Sequence, residues 1–260
     1  MEDKQMKIIE NVAYSVDCEK QRLDIYLPDM EAKAVFLYFH GGALEKGSKK
    51  SASVFAPYLT DRGIAVVSAD YRLYPEASYP DFINDAAMAV AFTKKYMDES
   101  LSCDRLYVGG SSAGGYLSMM LCFDARYLAD VGLDNSAVAG YFHDAGQPTA
   151  HYKVLSHSGI DHRRIIVDET APIYYVGLEE KYPPMRFIVS DNDMKGRYEQ
   201  TMLMLATLSH FGYEGFDHVV MHGKHCEYCK KYDENGESIL GRLVYDFIEK
   251  VSESSRSIGL

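Results

Sequence analysis

The chain has 260 residues, 47% of them hydrophobic, so it can bury the core of one large α/β domain or of two small ones and is neither disordered nor fibrous. A formal net charge of -11 and a sequence pI near 5.3 repel nucleic acid and anionic membranes, so neither is expected as a partner. The first seven residues are charged and lack a secretory core, and no apolar run approaches the roughly 20 residues that cross a bilayer. Five scattered cysteines (Cys18, Cys103, Cys122, Cys226 and Cys229) fit a reducing, cytoplasmic setting.

In chain order, alternating segments at 8–16 and 23–27 flank a polar connector and predict an antiparallel hairpin at a sheet edge. The apolar run 34–39 predicts a strand buried on both faces, ending in His40-Gly41-Gly42-Ala43. A helix is expected over 51–62, stopped by Gly63, then a strand over 64–69 leading into Asp70-Tyr71-Arg72-Leu73. Beyond a proline-punctuated stretch comes a helix over 81–97. A strand over 105–108 follows, and then a helix from Tyr116 onward. Residues 137–142 read as a strand, and 143–184 as an irregular, lid-like insertion rich in His, Pro and Tyr. A strand at 186–190, a helix at 197–211, a strand at 216–221 and a helix at 238–251 complete the chain, followed by a Ser-rich tail expected to be mobile. Alternating strands and helices without a linker predict one domain over 1–260, a mostly parallel sheet with helices on both faces.

Between the strand at 105–108 and its helix, Gly110-Ser111-Ser112-Ala113-Gly114 fits G-x-S-x-G, a nucleophile elbow. A serine hydroxyl attacks only when it stands clear of the backbone beside a base and oxyanion donors. The tight strand-to-helix turn leaves no room for bulk two positions either side, hence Gly110 and Gly114. Acid and base should follow in the order Ser, Asp, His. Asp191-Asn192-Asp193 closes one late strand and His222-Gly223-Lys224-His225 the next, at the sheet edge that carries Ser112. Asp193 is favoured over Asp191, which can serve a local turn, and His225 over His222 because it lies on the loop beyond Gly223. The N–H groups of Gly42, Ala43 and Ala113 are the expected oxyanion hole, with His40 holding its loop. His143 and Asp144, just after a strand, are the expected substrate contacts, the alternative being that they only satisfy a turn.

His40-Gly41-Gly42-Ala43, Asp70-Tyr71-Arg72-Leu73-Tyr74-Pro75-Glu76 and Gly110-Ser111-Ser112-Ala113-Gly114-Gly115 together resemble the α/β-hydrolase fold, specifically the hormone-sensitive-lipase-like and small bacterial carboxylesterases. Their usual forms are HGGG, YRLxPE and GDSAGG; the family's acid and histidine carry over onto Asp193 and His225. The resemblance implies a serine hydrolase of short-chain carboxylic esters, working without cofactor or metal on a small-molecule ester. Departures are Ala43 for the third glycine, Ser111 for the usual Asp, Ser190 for the usual Gly before the acid turn, and no long N-terminal cap. The Gly47-Ser48-Lys49 stretch also resembles arylformamidases, so an amidase or formamidase using the same triad is the alternative. Two other classes fit parts of the sequence. Cys226-x-x-Cys229 beside two histidines could hold zinc or cycle redox, and a hydrolase fold without activity could bind a ligand. Oligomeric state is left open, a homodimer included.

Overall fold

The computed structural model describes residues 6–16 and 18–257. Residues 1–5, which open the charged N-terminal stretch, residue 17 in the hairpin connector, and 258–260 at the end of the tail lie outside the described residues. Eight strands form one sheet in the order β1-β2-β4-β3-β5-β6-β7-β8. The hairpin appears as β1 (Lys7–Ala13) and β2 (Arg22–Leu27), paired antiparallel at the edge. Its β2 also runs antiparallel to β4 (Ile64–Ala69). From β4 through β3 (Ala34–Phe39), β5 (Leu106–Ser111), β6 (Gly140–Asp144), β7 (Met185–Asn192) and β8 (Phe216–Lys224), every pairing is parallel.

The strand period of two divides the core. Val35, Leu37 and Phe39 face one apolar layer, shared with α2 (Asp81–Ser100) and α3 (Ala113–Phe123). Ala34, Phe36 and Tyr38 face the other, shared with α1 (Ala56–Thr60) and α7 (Ile239–Ser257). An unbroken apolar run is what a strand covered on both sides requires. The remaining helices are α4 (Ala125–Ala129), α5 (Tyr152–His157) and α6 (Arg197–His210).

Several boundaries differ from the sequence expectation. The single helix expected over 51–62 is a 3-10 turn (Lys49–Val54) followed by α1. Pro57 lacks the N–H that would extend the preceding turn and instead occupies the start of α1. The strand expected at 137–142 begins at Gly140, because Asn135–Ala137 is a short turn capped by the Asp134 carboxylate, which accepts the Ser136 N–H. The tail expected to be mobile continues as helix to Ser257, with the Ser254 hydroxyl donating to the Lys250 carbonyl one turn back. The insertion is anchored: residues 145–151 are buried, Lys153 and His157 of α5 both reach Glu45, and His157 stacks on Tyr74.

Candidate active site

β5 runs to Ser111, α3 starts at Ala113, and Ser112 alone makes the turn between them at φ 57°, ψ -111°. This is left-handed backbone that a side-chain-bearing residue adopts only under constraint. The constraint is visible: the Ser112 N–H donates to the Asp144 carbonyl of β6 (2.7 Å), and the Ser112 carbonyl accepts from the Tyr116 N–H (3.0 Å). A Cβ on Gly110 would press on the backbone of Gly114 and Phe39, and one on Gly114 would overlap the Phe39 carbonyl. Both glycines are required by this crossing of β3, β5 and α3.

β7 and β8 end on the same rim and carry the other two groups. His225 Nε2 lies 2.7 Å from Ser112 Oγ, and His225 Nδ1 lies 2.5 Å from Asp193 Oδ1. The Asp193 side chain is 0% exposed and also accepts the Met194 N–H (2.6 Å) and the Ser190 N–H (3.3 Å). Burial alone would raise the Asp193 carboxyl; the His225 imidazole, the Met194 N–H and the Arg197 charge outweigh it and hold it below the usual range. Burial likewise pushes the His225 imidazole down, but hydrogen bonds and charge from Asp193 and the Cys226 sulfur, 3.7 Å from Nε2, lift it to about 10. The competing pair stands apart: His222 is 96% exposed and its Nδ1 sits 2.6 Å from Asp191, which also accepts the Gly223 N–H. Asp191 and His222 thus satisfy each other in solvent, while Asp193 and His225 are brought to Ser112.

The loop after β3 closes the site. Gly42, Ala43 and Leu44 all have positive φ (130°, 60° and 63°), so the backbone coils tightly past Ser112. His40 is buried, stacked on Tyr71 at 4.5 Å with its Nδ1 2.8 Å from the Gly41 carbonyl; burial lowers its affinity for a proton. It ties down the loop. Among the described residues, the N–H groups of Gly42, Ala43 and Ala113 show no hydrogen-bond partner, which leaves them available to an oxygen near Ser112. Gly42, Ala43, Ser112 and His225 line a cavity of about 500 Å³, with Tyr38, Tyr152, Met194 and Cys226 among its other walls.

His143 and Asp144 are not the substrate contacts the sequence suggested. Both side chains are buried behind the elbow and neither lines this cavity. His143 Nδ1 pairs with the Ser118 hydroxyl of α3 at 2.9 Å, and burial drops the imidazole to about 3. The Asp144 carboxylate accepts from Ser111, Tyr228 and Cys229, and burial raises it. A residue directly after an apolar strand can point either way, and here the parallel pairing of β6 with β5 and β7 encloses both. Asp144, Cys226 and Cys229 come within 4.8 Å of one another, but both Asp144 oxygens are already used by hydroxyl and thiol donors. Tyr152 and Met194 escape sequence reading because nothing local marks a lone Tyr or Met as facing a cleft.

The BD-FAE family model matches residues 23–144, a stretch that contains the β3 loop and the elbow and ends before Asp193 and His225. A probable isoprenylcysteine alpha-carbonyl methylesterase of Arabidopsis thaliana is 34% identical over 105 residues, 39% of this chain and 22% of that protein. The chain thus spans about a quarter of the length of the curated relatives it matches. Two solved structures align over nearly the whole chain. Esterase B of Lactobacillus rhamnosis, inhibited by a tributyrin phosphonate, has a TM-score of 0.78 and 19% identity, over 98% of this chain and 90% of that one. A truncated carbohydrate esterase from gut microbiota has a TM-score of 0.77 and 21% identity, over 97% and 99%. The architecture is that of the α/β-hydrolases, and the chain is similar to small esterases of that fold. No helix among the described residues is long and apolar enough to cross a membrane.

Proposed function

We propose that the protein is a serine hydrolase of short-chain carboxylic esters, with Ser112, His225 and Asp193 as its triad. The observation that carries this reading is the 2.7 Å approach of His225 Nε2 to Ser112 Oγ, with Asp193 2.5 Å behind the ring. In this reading Nδ1–H donates to Asp193, which fixes the tautomer and leaves Nε2 to accept the serine proton. Ser112 Oγ adds to the acyl carbon, and the negative oxygen is held by the N–H groups of Gly42, Ala43 and Ala113. Each such donor is typically worth about 2.7–4 kcal/mol in the transition state. His225 then hands its proton to the departing alcohol. Water enters, loses a proton to the same nitrogen, and releases the acid from Ser112.

The names of the relatives, a methylesterase, a carbohydrate esterase and an esterase inhibited by a tributyrin phosphonate, support ester over amide chemistry. The tributyrin phosphonate that inhibits one of them supports a short acyl chain. The test is a panel of 4-nitrophenyl esters of increasing acyl length, with Ser112→Ala as control. Turnover is expected to peak at short chains and to vanish in Ser112→Ala, with the fold retained, and a fluorophosphonate probe is expected to label only the wild type. Retained turnover in Ser112→Ala overturns the reading. Phenyl acetate compared with an aryl formamide at equal concentration separates an esterase from a formamidase.

A further inference from the structure

The hydrolytic reading leaves a second cavity unused. It holds about 530 Å³ and shares two walls, Tyr152 and Met194, with the cavity of Ser112. Its lining includes His162, Arg163, Arg164, Lys195 and Arg197, and no aspartate or glutamate. That is the reverse of the whole chain, where 38 acids outnumber 27 basic residues. Arg163 is neutralised by Asp161, which it grips through Nε and Nη2. The other cations are not: among the described residues, Arg164, Lys195 and Arg197 form no ion pair with a carboxylate.

Arg197 is the telling member. It is 4% exposed, and its guanidinium donates only to neutral acceptors, Nη1 to the Ala145 carbonyl (2.5 Å) and Nη2 to Gln147 Oε1 (3.1 Å). Asp193 stabilises that charge only at longer range, while burial opposes it. A cation so deeply placed normally sits against a carboxylate, because desolvation costs several kcal/mol without one. Arg197 also begins α6, whose first turn has no side-chain cap; Glu199 in that turn lies outside the cavity lining, and the positive end of the 14-residue helix adds to the same field.

We propose that this cavity receives an anionic group of the substrate. The favoured ester would then carry a carboxylate or phosphate on its acyl or alcohol part, with its carbonyl at Ser112. The charge sits among Arg164, Lys195 and Arg197, and Tyr152 and Met194 form the waist between the two chambers. Planar guanidinium groups suit either anion. The assignment of the carbonyl to Ser112 rests on the hydrolytic reading above; the anion site itself does not.

Two matched ester pairs test it: 4-nitrophenyl hemisuccinate against 4-nitrophenyl butyrate, and 4-acetoxybenzoate against phenyl acetate. Dissociation constants are measured by calorimetry on Ser112→Ala, and kcat/KM on the protein with Ser112 intact. In at least one pair the anionic member is expected to bind Ser112→Ala about tenfold more tightly, the worth of one charge-assisted hydrogen bond. Adding Arg164→Gln and Lys195→Gln should shrink that ratio to within about twofold, still measured as a ratio so that general damage cancels. Equal binding within both pairs, or a preference undiminished by the double substitution, overturns the anion site. If Ser112-intact protein turns over none of the four esters while the binding preference holds, the hydrolytic reading falls and the anion site stands.

Discussion

His225 is placed between two groups that favour its charged form. The Asp193 carboxylate is 2.5 Å from Nδ1 and the Cys226 sulfur 3.7 Å from Nε2, and together they outweigh burial and hold the imidazole near 10, against about 6.5 in water. A general base acts only when neutral. In the triad reading, kcat/KM should therefore keep rising on the alkaline side of neutrality instead of levelling off near pH 7.5. Asp193→Asn should move that limb toward acid and lower the rate by about 10⁴, the scale seen when a triad loses its orienting acid. Stability should run the other way. A histidine whose folded pKa is raised contributes stability that is complete below about pH 6.5 and is lost as pH climbs toward the folded value. Melting temperatures at pH 6 and pH 10 should thus converge in His225→Gln relative to wild type; an unchanged gap would contradict a raised imidazole. Ser111 is the other instructive residue. Where the resembling esterases carry aspartate before the nucleophile, this chain has a hydroxyl, and its register partner Asp144 supplies the carboxylate from the neighbouring strand.

The turn from β5 into α3 stores the strain of the site. Ser112 sits at φ 57°, where any Cβ is crowded and glycine is not. Ser112→Gly should therefore be more stable than Ser112→Ala by about 1 kcal/mol, the relief of strain less the extra entropy of an unfolded glycine. Urea midpoints of the two inactive variants give the comparison; a more stable alanine variant would mean the turn is relaxed. These same elements show what was readable beforehand. The apolar runs of β3 and β4 fall at the expected residues because continuous burial leaves one interpretation. The G-x-S-x-G spacing and the two late strand ends bring Ser112, Asp193 and His225 together because parallel strands deliver their C-terminal loops to one rim. β5 was legible only to Val108. Gly109 and Gly110 resemble loop, yet they continue the strand, and a Cβ on Gly109 would come within 2.9 Å of both Phe36 and Phe142. That demand comes from neighbouring strands and leaves no local trace. The same holds for the inward direction of His143 and Asp144, and for the basic lining of the second cavity, gathered from residues 147–200.

Across the molecule, one polar chain joins the edge of the sheet to the loop over Ser112. Asn11 of β1 donates its N–H to Asp24 of β2, and Lys49 Nζ lies 3.0 Å from Asn11 Oδ1, 3.3 Å from Asp24 and 3.7 Å from Asp70. Asp70 accepts the Lys49 N–H at 2.6 Å and stands 3.6 Å from His40, whose ring holds the Gly41 carbonyl. The hairpin at 7–27 is thereby coupled to the loop over Ser112 through a buried ammonium between two carboxylates. Such a charge does not stabilise in proportion to its contacts, since its own desolvation offsets most of the attraction. Removing it is another matter, because Asp24 would be left enclosed and uncompensated. Lys49→Met should cost about 3–5 kcal/mol, read from a lower urea midpoint at unchanged slope. Adding Asp24→Asn should recover part of that loss, because two groups in one network do not contribute independently. A double variant as unstable as the sum of the two single substitutions would mean that Lys49 acts by packing its methylene stem, and that the hairpin and the Ser112 loop are not electrostatically linked.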